Sequence, residues 1–112
     1  MSVTGDLIRG HTDAIILARL LQGDSYGYEI NKTISTLSAG RFELKEATLY
    51  TAFKRLEESG CIVSYWGTGG AGARRRYYTI TPAGKEECVR LRAEWEETKE
   101  IMDQLLEMRE EK

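Results

Sequence analysis

Residues 60–82 read GCIVSYWGTGGAGARRRYYTITP, and this stretch decides the fold. From Cys61 to Trp66, and again from Arg75 to Ile80, β-branched and aromatic residues dominate and the hydropathy period is two, which predicts two strands. Between them Gly67-Thr68-Gly69-Gly70-Ala71-Gly72-Ala73 is almost all small residues, a flexible hairpin tip. Gly67, Gly69 and Gly72 spell G-x-G-x-x-G, but a nucleotide loop has to open a helix whose N-terminus meets the phosphate. Here three arginines and a strand pattern follow instead. Thr81-Pro82 then begins a helix, with a hydroxyl to cap it and a proline at the first helical position.

Upstream of Gly60 the period is 3.6. Leu7, Ile8, Ile15, Ile16, Ala18 and Leu20 predict one helix from Thr4 to Leu21. Gln22-Gly23-Asp24-Ser25 breaks it, with Ser25 as the expected N-cap of a second helix over 26–38 that carries Tyr26, Ile30, Ile34 and Leu37. Ala39-Gly40 supplies a left-handed stop. A third helix, about 45–59, turns Leu49, Phe53 and Leu56 inward and closes at Gly60.

Downstream, Cys88, Leu91, Trp95, Thr98, Met102 and Leu105 recur at spacings of three and four along a helix expected to reach about Arg109, roughly 40 Å at 1.5 Å per residue. A body of residues 1–81 is too small to bury that whole stripe, so a partner helix is the expected cover, with Cys88, Leu91, Trp95, Met102 and Leu105 at a homodimer seam. Three helices, a hairpin and a long helix make a mainly helical α+β fold: a winged helix-turn-helix domain over 1–81 and a dimerisation helix over 82–112.

Charge is informative in parts. The net charge is −2, but residues 1–40 carry 3 basic and 4 acidic groups, 41–81 carry 7 and 4, and 82–112 carry 6 and 10. A basic middle beside an acidic tail is a local field able to attract a polyanion. Catalysis finds little support. The lone histidine, His11, lies in the first helix and pairs with no serine or cysteine, and adjacent acids such as Glu57-Glu58 diverge by about 100° on a helix. No metal-ligand spacing occurs, and no metal or cofactor is expected. Two cysteines, Cys61 and Cys88, suit buried reduced thiols better than a disulfide framework. No apolar run is long enough to span a bilayer and no signal pattern opens the chain, so the expected setting is cytoplasmic, without a membrane partner.

Double-stranded DNA is the expected partner. A helix entering a major groove needs short side chains and donors on its solvent face, and the third helix offers Lys45, Thr48, Thr51, Lys54 and Arg55 there. Thr48 and Tyr50 are placed to touch base methyls or phosphates, and Lys45, Lys54 and Arg55 to neutralise phosphates. An ordinary solvated helix face has the same composition. The wing separates the two readings: Arg74, Arg75 and Arg76 are adjacent cations beside a flexible tip, and they repel one another unless an anion accepts them. In a strand Arg74 and Arg76 share one face and Arg75 takes the other, so at least one face points outward with its charge unpaired.

Gly10, Tyr26-Gly27-Tyr28-Glu29-Ile30, Ala47-Thr48-Leu49-Tyr50, Lys54-Arg55-Leu56-Glu57, Arg75-Arg76-Tyr77-Tyr78 and Thr81-x-x-Gly84 together resemble the PadR family of bacterial winged-helix transcriptional regulators, usually repressors. Ser64-Tyr65-Trp66-Gly67 and a tryptophan midway along the single last helix are similar to its short-tailed, LmrR-like multidrug-sensing branch. The resemblance implies a recognition helix containing Thr48, Tyr50 and Lys54, and a wing containing Arg75, Arg76 and Tyr77. Asp13 and Glu87 stand where drug-sensing relatives can carry neutral amides.

Trp95 has two readings. It is a large residue filling the helix seam, or it stacks against its mate across a two-fold axis. In the second case Asp13 holds the subunits apart, and Leu91, Thr98, Lys99 and Met102 flank a slot for a planar aromatic effector. Asp13 and Glu87 favour a cationic one. The alternative to a DNA-binding repressor is a winged-helix module that binds small molecules or proteins without strong DNA contacts.

Overall fold

Gly10 and His11 interrupt what the periodicity predicts as one helix. The computed structural model describes residues 3–68 and 74–108, and its first helices are α1 (Val3–Arg9) and α2 (Thr12–Leu21). His11 leaves helical geometry (φ −113°, ψ 23°), and Thr12 Oγ1 donates to the Arg9 carbonyl at 2.6 Å across the break. Leu7, placed on the apolar stripe by its spacing, is exposed on α1, while Ile16 and Leu20 of α2 are buried.

A second departure follows at once. Ser25 and Tyr26 form a short strand, β1, ahead of α3 (Gly27–Leu37), and Ser25 does not cap that helix. Its hydroxyl instead donates to Glu29 Oε1 at 2.6 Å, and Tyr26 holds the cap position without a side-chain bond. Ala39 and Gly40 both take positive φ, as a left-handed stop requires, and Asn31 then clamps the following turn. Its side-chain amide donates to the Leu44 carbonyl at 2.7 Å, and its side-chain oxygen accepts from the Leu44 N–H at 2.8 Å. That clamp fixes where α4 (Glu46–Glu58) begins, and Gly60, at φ 80°, ends its C-terminal turn.

The strands β2 (Ile62–Thr68) and β3 (Arg74–Ile80) start and end close to expectation, but β2 runs on through Gly67 and Thr68, which read as part of the tip. Residues 69–73, the remainder of the glycine-rich link, lie outside the described residues. The sheet is three-stranded and antiparallel in the order β1-β3-β2, with Ser25 opposite Tyr78 and Trp66 opposite Arg76. Thr81 caps α5 (Pro82–Leu105) as predicted, its hydroxyl accepting from the Gly84 N–H at 3.0 Å. The helix stops at Leu105 rather than near Arg109.

The core gathers Ile16, Leu17 and Leu20 of α2, Ile30 and Ile34 of α3, and Leu49, Phe53 and Leu56 of α4 under the sheet, where Phe53 stacks on Tyr78 at 4.0 Å. Leu37, placed with that stripe by its spacing, is exposed. Cys61 and Cys88 are free and buried, and burial pushes the Cys88 thiol above its usual range. Only the first turns of α5 join this core. Beyond Leu91 every described residue of the helix is exposed, and the chain measures 68 Å in its longest direction against 29 and 21 Å in the others. The architecture is thus a mainly helical winged helix with a protruding C-terminal helix.

Candidate nucleic-acid interface and adjoining cavity

With Leu49, Ala52, Phe53 and Leu56 turned inward, α4 presents Ala47, Tyr50, Thr51 and Lys54 on its outward arc. Lys54 is exposed and meets no carboxylate among the described residues, while Lys45 stands exposed at the N-terminal cap. The Tyr50 ring leans edge-on against Phe53 at 5.5 Å, with its hydroxyl in the space where a Cβ on Gly27 would stand. Thr48 sits apart from this group. It is half-buried at the edge of the arc and faces a cavity beside α2.

The wing arranges its arginines by the alternation of a strand. Arg74 and Arg76 share a face with Trp66, their guanidinium carbons 5.0 and 5.8 Å from the indole centroid. Arg75 takes the other face and lies 4.5 Å from the Tyr26 ring. Among the described residues, Arg74 and Arg75 meet rings but no carboxylate. Arg76 does meet one: its Nη2 lies 3.5 Å from Glu57 Oε2 on α4, and the same carboxylate accepts from Ser64 Oγ at 2.8 Å.

Tyr77 is half-buried between Tyr26, edge-on at 5.4 Å, and Tyr65, stacked at 5.6 Å. The Tyr65 hydroxyl donates to Asp24 at 2.7 Å, and bonds from Thr79 and then Tyr65 hold the Asp24 carboxyl below its usual range. These contacts tie the outer face of the sheet to the loop before β1.

A cleft of about 560 Å³ lies between the α1–α2 junction, α4 and α5. It brings together four of the residues expected at an effector site: Asp13, Leu91, Trp95 and Thr98. Glu87, Lys99 and Met102 are not among its walls. Glu87 pairs with Arg90 at 2.7 Å, which holds its carboxyl low, and Lys99 pairs with Glu96 at 3.1 Å. Met102 is exposed farther along α5. The cleft adds residues that sequence reasoning did not place there. His11 meets the Trp95 indole edge-on at 5.1 Å, and Arg55 of α4 grips Asp13 of α2 with two nitrogens, one 3.3 Å from Oδ2 and the other on Oδ1. That bond raises the Arg55 guanidinium further above its ordinary value. No local signal pairs Asp13 with Arg55, because 42 residues separate them and only the packing of α2 on α4 joins them.

Cys88, expected at a seam between subunits, is instead buried in the chain's own core, and Leu91 is half-buried against that core. Trp95, Met102 and Leu105 are exposed on the protruding part of α5. Among the described residues no helix is long and apolar enough to cross a membrane.

Comparison with known proteins places this architecture. The family model for PadR-like transcriptional regulators matches residues 16–90, from α2 into α5. A protein of Lysinibacillus sphaericus, itself uncharacterised, is 48% identical over 105 residues, covering 94% of this chain and 96% of its own. The structure of a transcriptional regulator from Clostridium thermocellum superposes with a TM-score of 0.84 at 45% identity, covering 96% of this chain and 99% of its own. A PadR family transcription regulator from Clostridium difficile gives a TM-score of 0.74 at 38% identity over 86% of this chain and 98% of its own. The family comprises regulators of transcription rather than enzymes. The family model and these relatives agree with the architecture: the chain belongs to the PadR-like family of transcriptional regulators.

Proposed function

We propose that the chain is a homodimeric repressor that binds an inverted-repeat operator and is released by a planar aromatic, cationic effector, as in the LmrR-like multidrug-sensing branch. The observation that carries the DNA reading is the wing beside α4: Arg74 and Arg75 laid on aromatic rings without a carboxylate, next to an outward helix arc containing Tyr50, Thr51 and Lys54. Cations held this way are ordered yet uncompensated, which suits phosphate contact. Residues 1–81 form the reading head in this proposal and 82–112 the dimerisation helix, with Trp95, Met102 and Leu105 at the seam. Two heads so joined set their recognition helices in successive major grooves, about one helical turn apart. Trp95 at the mouth of the cleft is the effector plate, with Asp13 favouring a cation.

Footprinting on DNA upstream of the chain's own gene tests the operator, and the expected result is a two-fold-symmetric protected site. Affinity for that site should fall steeply with salt. A flat salt dependence on both that DNA and random DNA would discard the repressor in favour of a module that binds small molecules or proteins.

A further inference from the structure

The cleft is walled on one side by the helix expected to read DNA. Ala47, Thr48, Thr51 and Arg55 of α4 all line it, so an occupant of the cleft touches α4 directly. A polar link joins Arg55 to Asp13 across the cleft, and both groups are partly exposed, 53% and 35%. Asp13 lines the same space as Trp95, the stacking plate.

We infer that Asp13 is shared between two cations, the Arg55 guanidinium of α4 and the charge of a bound aromatic cation, and that this competition is the link between effector and DNA. This rests on the cleft being the effector site, as proposed above. In the free chain Arg55 holds α4 to the first turn of α2. A planar cation stacked on Trp95 pairs its charge with Asp13 and displaces Arg55, so α4 loses its tie and the head loses the pose in which it reads a groove. Linkage makes the effect reciprocal, since whatever the ligand does to DNA affinity, DNA does to ligand affinity. Its size is that of an exposed ion pair, about two- to fivefold. A neutral ligand of the same shape stacks on Trp95 but has nothing to offer Asp13, and it leaves the tie in place.

The test uses two probes of one shape: N-methylquinolinium, a permanent cation, and quinoline at mildly alkaline pH, where it is uncharged. Quenching is read in the full chain with Trp66→Phe, where Trp95 is the one tryptophan and is excited selectively, and DNA affinity in the chain that keeps Trp66. DNA affinity is measured on a duplex selected from a random pool, with each probe's effect on the bare duplex subtracted. Both probes should quench Trp95, and only the cation should lower DNA affinity, by about two- to fivefold. Arg55→Gln should bind the cation tighter by a similar factor, because its competitor is gone, and should lose the effect of the cation on DNA. A merely structural Arg55 would not tighten the probe. If neither probe quenches, the effector cleft fails and this link falls with it. If both quench and quinoline weakens DNA binding as much as the cation, the cleft stands and the Asp13 competition is overturned. That comparison decides the matter even if Arg55→Gln does not fold.

Discussion

Gly84 shows how little room single positions leave. It lies in the first turn of α5, and a Cβ built on it would stand 2.1 Å from the Cys61 carbonyl oxygen and 2.7 Å from Ile80. The carbonyl belongs to backbone and has no rotamer to escape into, so Gly84→Ala forces the helix off the sheet. The expected cost is about 2–3 kcal/mol, seen in a thermal melt as a fall in Tm of roughly 10 °C. Glu57 acts by charge rather than shape. It binds Arg76 in the free chain and, in the proposed DNA complex, would compete with phosphate for it. Glu57→Gln should therefore raise affinity for every DNA sequence by about fivefold, as removal of a close competing charge does. Glu58, exposed on the same helix, has no such pairing among the described residues, and Glu58→Gln serves as the control in the same titration. Equal gains from the two variants would show that only overall charge matters.

Among the elements, α5 is the one that a single chain leaves unfinished. Its first turns seal the core through Gly84, Cys88 and Leu91, yet Ile101, Met102 and Leu105 of the same helix remain in solvent. An amphipathic stripe with no cover in its own chain is expected to find one in a second copy. Met102→Glu with Leu105→Glu places like charges on that stripe without touching the core. Sedimentation at micromolar concentration should show wild-type dimer and variant monomer with an unchanged melt of the head; a monomeric wild type would remove the seam. The wing is the opposite case. Its arginines are fixed within the chain by Trp66 and Tyr26, so their geometry needs no partner to set it.

At the scale of the whole molecule, charge and shape are segregated. A net charge of −2 hides a basic segment, residues 41–81, that contributes both α4 and the wing, while the acidic surplus lies on the helix from Pro82 onward. Steering by such a field depends on the basic end alone facing the duplex. Arg74→Ala with Arg75→Ala should then weaken binding to all sequences alike and lower the slope of log affinity against log salt by about one unit per lost phosphate contact. An unchanged slope in a fluorescence-anisotropy titration would mean that the wing does not clamp phosphate.

The sequence by itself determined the succession of α3, α4, the hairpin and the last helix, the cap at Thr81, the inward face of α4 and the alternation of Arg74, Arg75 and Arg76, because each depends on neighbours within a turn or a strand. Tertiary structure decided the rest. The two residues of β1 are too few to show a period, and they exist as a strand because Tyr77 and Tyr78 pair with them. The α1–α2 break falls at Gly10 and His11, between apolar residues whose spacing alone does not show it. Thr48, read as a groove-facing residue, also lines the cleft once α2 packs alongside, and Cys88, read as a seam residue, is buried in the chain's own core. Asp13 with Arg55, His11 with Trp95 and Arg76 with Glu57 are contacts between groups distant in the chain, and only the packing of α2, α4, α5 and the wing on one core brings them within reach.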